Sequence, residues 1–202
     1  SAFMPRFRNL KKGERRNFIK GYCAHVSSGG GASPNHFPLY GEELQQKLDS
    51  YAGSCVSGGI FGERVARYEN HVRINKEVVD AWGIPVLHIE ARDSDNERNM
   101  RKDAADTFEE LFHDCGWEII AKTDEVNPPG YSIHEVGTCR MGDDPKKSVL
   151  NKWNQSHDIK NLFVVDGASF VTAGWQNPTM TILTLSMRAS EYLADQIQKH
   201  EI

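Results

Sequence analysis

The chain has 202 residues, with 24 lysines and arginines against 28 aspartates and glutamates, and 39% hydrophobic residues. That is the composition of a soluble globular protein, long enough for one or two domains and a sizeable core, and its net charge of −4 argues against a phosphate-backbone binder. No apolar run approaches the ~20 residues of a membrane span, and the N-terminus from Ser1 to Arg8 lacks the apolar centre of a secretory signal, so the expectation is a soluble protein of open compartment.

Phe18 to Val26 reads as a strand, followed by a short glycine turn at Gly29–Gly31. No Lys-Ser/Thr follows those glycines, which excludes a phosphate-binding P-loop. Glu42 to Tyr51 reads as a short polar helix, with Leu44 and Leu48 one turn apart. Val56 to Ile74 holds one or two strands, and Asn70–Ile74 alternates in the strand sense. Trp82-Gly83-Ile84-Pro85 turns the chain into another strand, Val86–Glu90. The clearest helix runs from about Asp95 to Cys115. Ser94 and Glu97 form a capping box, Met100, Ala104, Phe108, Leu111, Phe112 and Cys115 make its apolar stripe, and Gly116 ends it. Asn127-Pro128-Pro129-Gly130 marks a segment boundary. Beyond it, Leu162–Val165 has the run of a buried strand and ends in Asp166-Gly167. Asn177 as N-cap and Pro178 at the first helical position open a last helix to about Gln198. Its expected buried stripe is Leu183, Met187, Leu193, Ala194 and Ile197.

The four cysteines, Cys23, Cys55, Cys115 and Cys139, form no CxxC pair, which speaks against a zinc knuckle or a thioredoxin-like site. They are also too sparse for a disulfide scaffold. The histidines fall at no metal-ligand spacing, so no metal site is expected. His134-Glu135-Val136-Gly137-Thr138 is not HExxH, because Thr138 stands where the second histidine would be. No GxSxG nucleophile elbow is present, which disfavours a hydrolase.

Two segments carry chemistry. His134 is a general-base candidate near neutral pH, or else a structural histidine on a loop. Asp166-Gly167 ends an apolar run where α/β sheets place ligand contacts. Asn177-Pro178-Thr179 opens a helix whose free N–H groups favour negative charge, although Asn177 could simply cap its own helix.

Taken together, these segments resemble the C-terminal pattern of the glucose–methanol–choline (GMC) flavin oxidoreductases. The resemblance is densest from His134 to about Ile197. It rests on His134–Thr138, Arg140-Met141-Gly142, Ser148–Asn151, Asn161–Gly167 and Gln176–Thr181, with His134 and Asn177 standing 43 positions apart. A looser likeness covers Pro5–Asn9, Tyr68-Glu69-Asn70 and Trp82–Pro85. It implies an α/β (α+β) architecture. Residues 1–127 would be part of a substrate-binding domain with an antiparallel sheet. Residues 128–202 would return to the FAD-binding domain, adding a strand and the closing helix.

The resemblance also implies FAD-dependent oxidation of a hydroxyl group of a sugar, sugar acid or glycoside, akin to pyranose oxidases or glucoside 3-dehydrogenases. His134 matches the base, and Asn177 matches its partner that holds the substrate hydroxyl. Asp166, Gly167, Asn177, Pro178 and Thr179 match flavin-contacting positions, and Gln176 and Trp175 flank the substrate. The GxGxxG turn that grips the ADP half of FAD is missing from the chain. The expected partners are therefore an N-terminal FAD-binding half, as a separate or cleaved chain, and an electron-acceptor protein. Without that half the Val164-Val165 strand is expected to expose apolar area. The competing expectation is a GMC-derived module that binds a partner or sugar without catalysis.

Overall fold

A computed structural model describes residues 1–11, 13–123 and 130–202. The turn expected at 127–130 lies, through Pro129, outside the described residues. The chain divides into two compact units, Ser1–Glu63 with Asp93–Val126, and Arg64–Arg92 with Asn127–Ile202.

In the first unit, strands β1 (Ala2–Met4), β2 (Tyr22–Ser28) and β3 (Val56–Gly62) form an antiparallel sheet in the order β1-β2-β3. Helix α1 (Gly41–Ser50) precedes β3, and helix α2 (Asp95–Asp114) packs on the sheet. Alternation decides the faces. Tyr22 and Ala24 pair with Gly62 and Ile60, and Tyr22 and Ile60 join Phe18, Met100 and Ala104 in the core. The helix α2 stripe is thus buried at Met100 and Ala104, half-buried at Phe108, Leu111 and Phe112, and exposed at Cys115. Both arms of the Ser94–Glu97 capping box form. At the other end Gly116 and Trp117 donate to His113 and Phe112 at 2.9 and 3.0 Å, the paired bonds of a Schellman close.

The first strand starts later than its apolar run suggests. Phe18 is buried, but Lys20 has φ +65°, and the Asn9 side chain donates to the carbonyls of Phe18 and Lys20 at 2.9 and 3.0 Å. Those carbonyls are lost to a ladder, so pairing begins at Tyr22. A polar network sits at the edge of this core. Asp103 Oδ2 accepts from the Tyr22 hydroxyl at 2.6 Å and from Arg8 Nε at 2.9 Å, while Arg8 also donates to Thr107 at 2.9 Å.

In the second unit, β4 (His71–Val79) and β5 (Pro85–Glu90) form an antiparallel hairpin with a bulge between Ile74 and Val79. Asp80 Oδ1 accepts from the N–H groups of Trp82 and Ile84, both at 2.9 Å, which closes the expected Trp-Gly-Ile-Pro turn. All strand ladders among the described residues are antiparallel, and the mixed α/β class stands. No helix is long and apolar enough to cross a membrane among the described residues. The four cysteines form no disulfide among the described residues.

The rest of this unit is mostly irregular chain closed by helix α3 (Thr179–Gln198). Two expectations fail here. Leu162–Val165 is not a buried strand: it makes one isolated bridge, Gln155 to Phe163, and Leu162 and Val165 are 45% and 40% exposed. Its hydrogen bonding goes to a loop instead, with Val164 N–H donating to the Asn154 carbonyl and Asn154 Nδ2 donating to the Val164 carbonyl, both at 2.9 Å. The expected stripe of α3 faces outward. Leu183, Met187 and Ile197 are 53%, 67% and 54% exposed, Ala194 is exposed and Leu193 is half-buried. Helix α3 has a second apolar stripe, Ile182, Leu185, Ala189 and Tyr192, and this one packs inward, with Tyr192 stacked on Trp153 at 4.8 Å. Both stripes obey helical spacing, so periodicity alone could not choose between them.

The Tyr22 phenol titrates above its ordinary value of 10.0, pushed up first by burial and then by the hydrogen bond it donates to Asp103. Its folded-state value exceeds the unfolded one, so its contribution to stability is complete below about pH 10 and is lost as pH rises through the folded value. Tyr22→Phe is expected to cost about 1–3 kcal/mol near neutral pH and to flatten this alkaline loss. Urea denaturation between pH 7 and 11 checks both.

Candidate functional site

The site is built in the second unit from two segments zipped together. The N–H groups of Gly137, Cys139 and Met141 donate to the carbonyls of Gly167, Ala168 and Ser169 at 3.0, 2.9 and 3.0 Å. Glycine suits both sides and is required at Gly137. Gly137 has φ +91°, and a Cβ there would lie 3.2 Å from the Phe170 carbonyl oxygen. A Cβ on Gly167 would lie 3.0 Å from Val136 Cγ1. The zipper is backed by Ser169, fully buried, and Phe170, 9% exposed.

Below the zipper the chain turns back on itself. Gly142 N–H donates to the Leu150 carbonyl at 2.8 Å, and Val149 N–H to the Arg140 carbonyl at 3.1 Å. Leu150 and Asn154 are both fully buried. Asn154 adopts φ +62°, a conformation its short polar side chain tolerates, and its amide ties the loop to Val164. Asn154 escaped the sequence analysis. Nothing in the sequence separates a buried asparagine from any other loop asparagine.

His134 emerges three residues before the zipper and is half-buried. Its N–H donates to Ser132 Oγ at 3.4 Å, and Ser132 Oγ donates to Glu135 at 3.1 Å. Asp166 lies at the other end of the zipper. Its Oδ1 accepts from Ala168 N–H at 2.8 Å, capping the short 3₁₀ turn Gly167–Ser169.

Helix α3 begins at Thr179, with Pro178 as its N-cap and no side-chain cap bond. Asn177 therefore does not serve as the cap expected from the sequence. The first helical bond runs from Ile182 N–H to the Pro178 carbonyl at 3.0 Å, which places the cap at Pro178 although its torsions, φ −81° and ψ −14°, are already helical. The exposed Asn177 side chain makes no hydrogen bond among the described residues. No acidic residue occupies the first turn of α3, the end where the helix dipole favours negative charge.

Two adjoining clefts open on these elements. The first is lined by His134, Gln176, Asn177 and Pro178, with Val136, Phe170, Ala173, Gly174 and Thr181. The second is lined by His134, Asp166, Gly167 and Pro178, with Ile133, Thr138 and Ile182 among others. The fold thus gathers His134, Asp166, Gly167, Gln176, Asn177 and Pro178, and His134 and Pro178 belong to both clefts. Trp175 and Thr179 line neither. Val136, Phe170, Thr181 and Ile133 line the clefts without having been singled out. Their apolar or hydroxyl side chains give no chemical signal in a sequence. The clefts measure about 70 and 290 Å³, below the ~300–1,000 Å³ usual for a small-molecule site. No cluster fit to hold a metal ion exists among the described residues.

The fold is similar to that of a solved pyridoxine 4-oxidase from Mesorbium loti, with TM-score 0.52 and 18% identity over 86% of this chain and 34% of that one. The family model described as GMC oxidoreductase matches residues 66–186, and the chain belongs to that family. Two curated relatives agree. A 2-methyl-1,2-propanediol dehydrogenase of Mycolicibacterium austroafricanum is 32% identical over 89% of this chain and 34% of its own length. The fructose dehydrogenase large subunit of Gluconobacter japonicus is 33% identical over 80% of this chain and 29% of its own. The chain spans about a third of the length of these relatives.

Gly137→Ala meets both the positive φ and the Phe170 carbonyl. It should destabilise the protein by about 1–3 kcal/mol, read as a lowered denaturation midpoint with an unchanged slope.

Proposed function

We propose that this chain carries the catalytic wall of an FAD-dependent oxidoreductase that oxidises a hydroxyl-bearing carbon of a sugar, sugar acid or glycoside. The single observation behind this reading is that His134 and Asn177 line one cleft, beside the uncapped N-terminus of α3. Residues 1–127 serve as part of the substrate-binding domain, and 128–202 as the returning part of the FAD-binding domain.

The residues suit a flavin. The open N-terminus of α3 favours an electron-rich group, with Pro178 lacking an N–H and Thr179 N–H free of an intrahelical partner. Asn177, Asp166 and Gly167 complete the flavin-contacting set, Gly167 by allowing close backbone approach. The bound flavin supplies the hydride acceptor. His134 takes the proton from the substrate hydroxyl as the C–H bond breaks. Asn177 is an amide and cannot accept that proton at neutral pH; it orients the hydroxyl by hydrogen bonding. Gln176 and Trp175 flank the substrate. A fructose dehydrogenase and a diol dehydrogenase among the relatives support a hydroxyl-bearing substrate.

The remaining wall, with the adenosine and diphosphate contacts, is supplied by an N-terminal FAD-binding half, and an electron-acceptor protein can reoxidise the flavin. In support, α3 turns the spaced row Met180, Leu183, Met187 and Ile197 outward, each more than half exposed. Such a row is normally covered.

In the complete flavoprotein, His134→Ala should lower the rate of alcohol oxidation by about 10²–10⁴-fold. Asn177→Ala should lower kcat/KM by about 10–100-fold, the worth of one lost substrate hydrogen bond. Steady-state kinetics on a sugar checks both, and unchanged turnover in His134→Ala overturns the assignment.

A further inference from the structure

We propose that Ile133 is a positioning residue for His134, acting through its backbone torsions and not through its side chain. This rests on the assignment of His134 as the base. Ile133 has φ +56°. A β-branched residue is poorly suited to the left-handed region, where Cβ crowds the neighbouring carbonyl. The Ile133 side chain is 85% exposed among the described residues, so buried packing does not offset the strain.

The strain is held by contacts downstream of Ile133 and across it. Downstream, Gly137 is already clamped to the Gly167 carbonyl. Across Ile133 itself, Ser132 Oγ accepts a hydrogen bond from the His134 N–H and donates one to Glu135. With the downstream chain fixed, the Ile133 torsions help set the direction in which His134 leaves the backbone. Ile133 and His134 lie side by side on the wall of the second cleft, with Gly167 and Pro178. Backbone strain that surrounding contacts maintain beside a reacting group fits a geometry set before substrate arrives.

The test compares Ile133→Gly, Ile133→Asn and Ile133→Pro in the complete flavoprotein, with His134→Gln alongside. Glycine and asparagine accept φ > 0, so both variants should retain at least about 10-fold more turnover than Ile133→Pro and should melt at the same temperature or up to ~3 °C higher. Proline forces φ to about −65°. It should lower kcat by about 100-fold with KM little changed, as expected for a misplaced base, while the flavin absorbance reports that the protein is folded and loaded. Loss of turnover in the glycine and asparagine variants overturns the proposal, because the side chain would then be what matters. Full turnover in a folded proline variant also overturns it. If proline prevents folding, the glycine and asparagine variants decide alone, through their kcat and melting temperatures. An active His134→Gln overturns the base assignment and this inference together. An inactive His134→Gln beside an active Ile133→Pro overturns this inference only.

Discussion

Three backbone hydrogen bonds, from Gly137, Cys139 and Met141 to Gly167, Ala168 and Ser169, hold the site together. They join segments 28–30 positions apart in sequence, and Ser169 and Phe170 at their C-terminal side are buried. Hydrogen bonds of this kind are modest in net value but costly to leave unmade once buried. The zipper therefore fixes both of its ends. His134 leaves one end and Asp166 the other, and the loop after Phe170 leads to Asn177. Two glycines make the close approach possible, which is why His134-Glu-Val-Gly and Asp-Gly form one construction.

The polar groups of the site divide by how much of their bonding the chain itself uses. Asp166 spends one oxygen on a turn, and Asn154 and Ser169 spend their side chains on loop carbonyls. Asn177 keeps its amide uncommitted, and the first turn of α3 has neither a side-chain cap nor an acidic residue. Donors left open at the lip of a cleft can meet an electron-rich ligand at little reorganisation cost. The inner groups hold the shape, and the outer ones remain available for chemistry.

The first unit is stabilised differently. There an antiparallel sheet and one long helix share a small apolar core around Tyr22 and Met100. A charged network, Arg8, Asp103, Tyr22 and Thr107, sits where that core meets solvent. Tyr22 serves both, with its ring in the core and its hydroxyl on Asp103, so the register of β2 against α2 is fixed by packing and by a directional bond at once. Arg6 adds an ion pair to Glu63 at 3.0 Å.

Local signals were legible in the sequence wherever the interaction is local. The Ser94–Glu97 box, the Gly116 close, the Asp80 turn and the start of α3 all depend on residues within one turn of each other, and each lies within a residue or two of its expected place. So does the chemistry of His134 and Asn177 as residue types, and the pattern that marks the family. What lay outside the sequence is whatever depends on distant partners. Leu162–Val165 reads as a strand, but Asn154 takes its hydrogen bonds. Phe18–Lys20 reads as a strand, but Asn9 captures its carbonyls. Helix α3 carries two apolar stripes that both obey helical spacing, and the packing of Ala189 and the stacking of Tyr192 on Trp153 decide which faces inward. Residue spacing constrains what a segment can bury, whereas its partner decides what it does bury. Tertiary structure alone supplied that partner, and with it the cleft that brings His134 and Asn177 together.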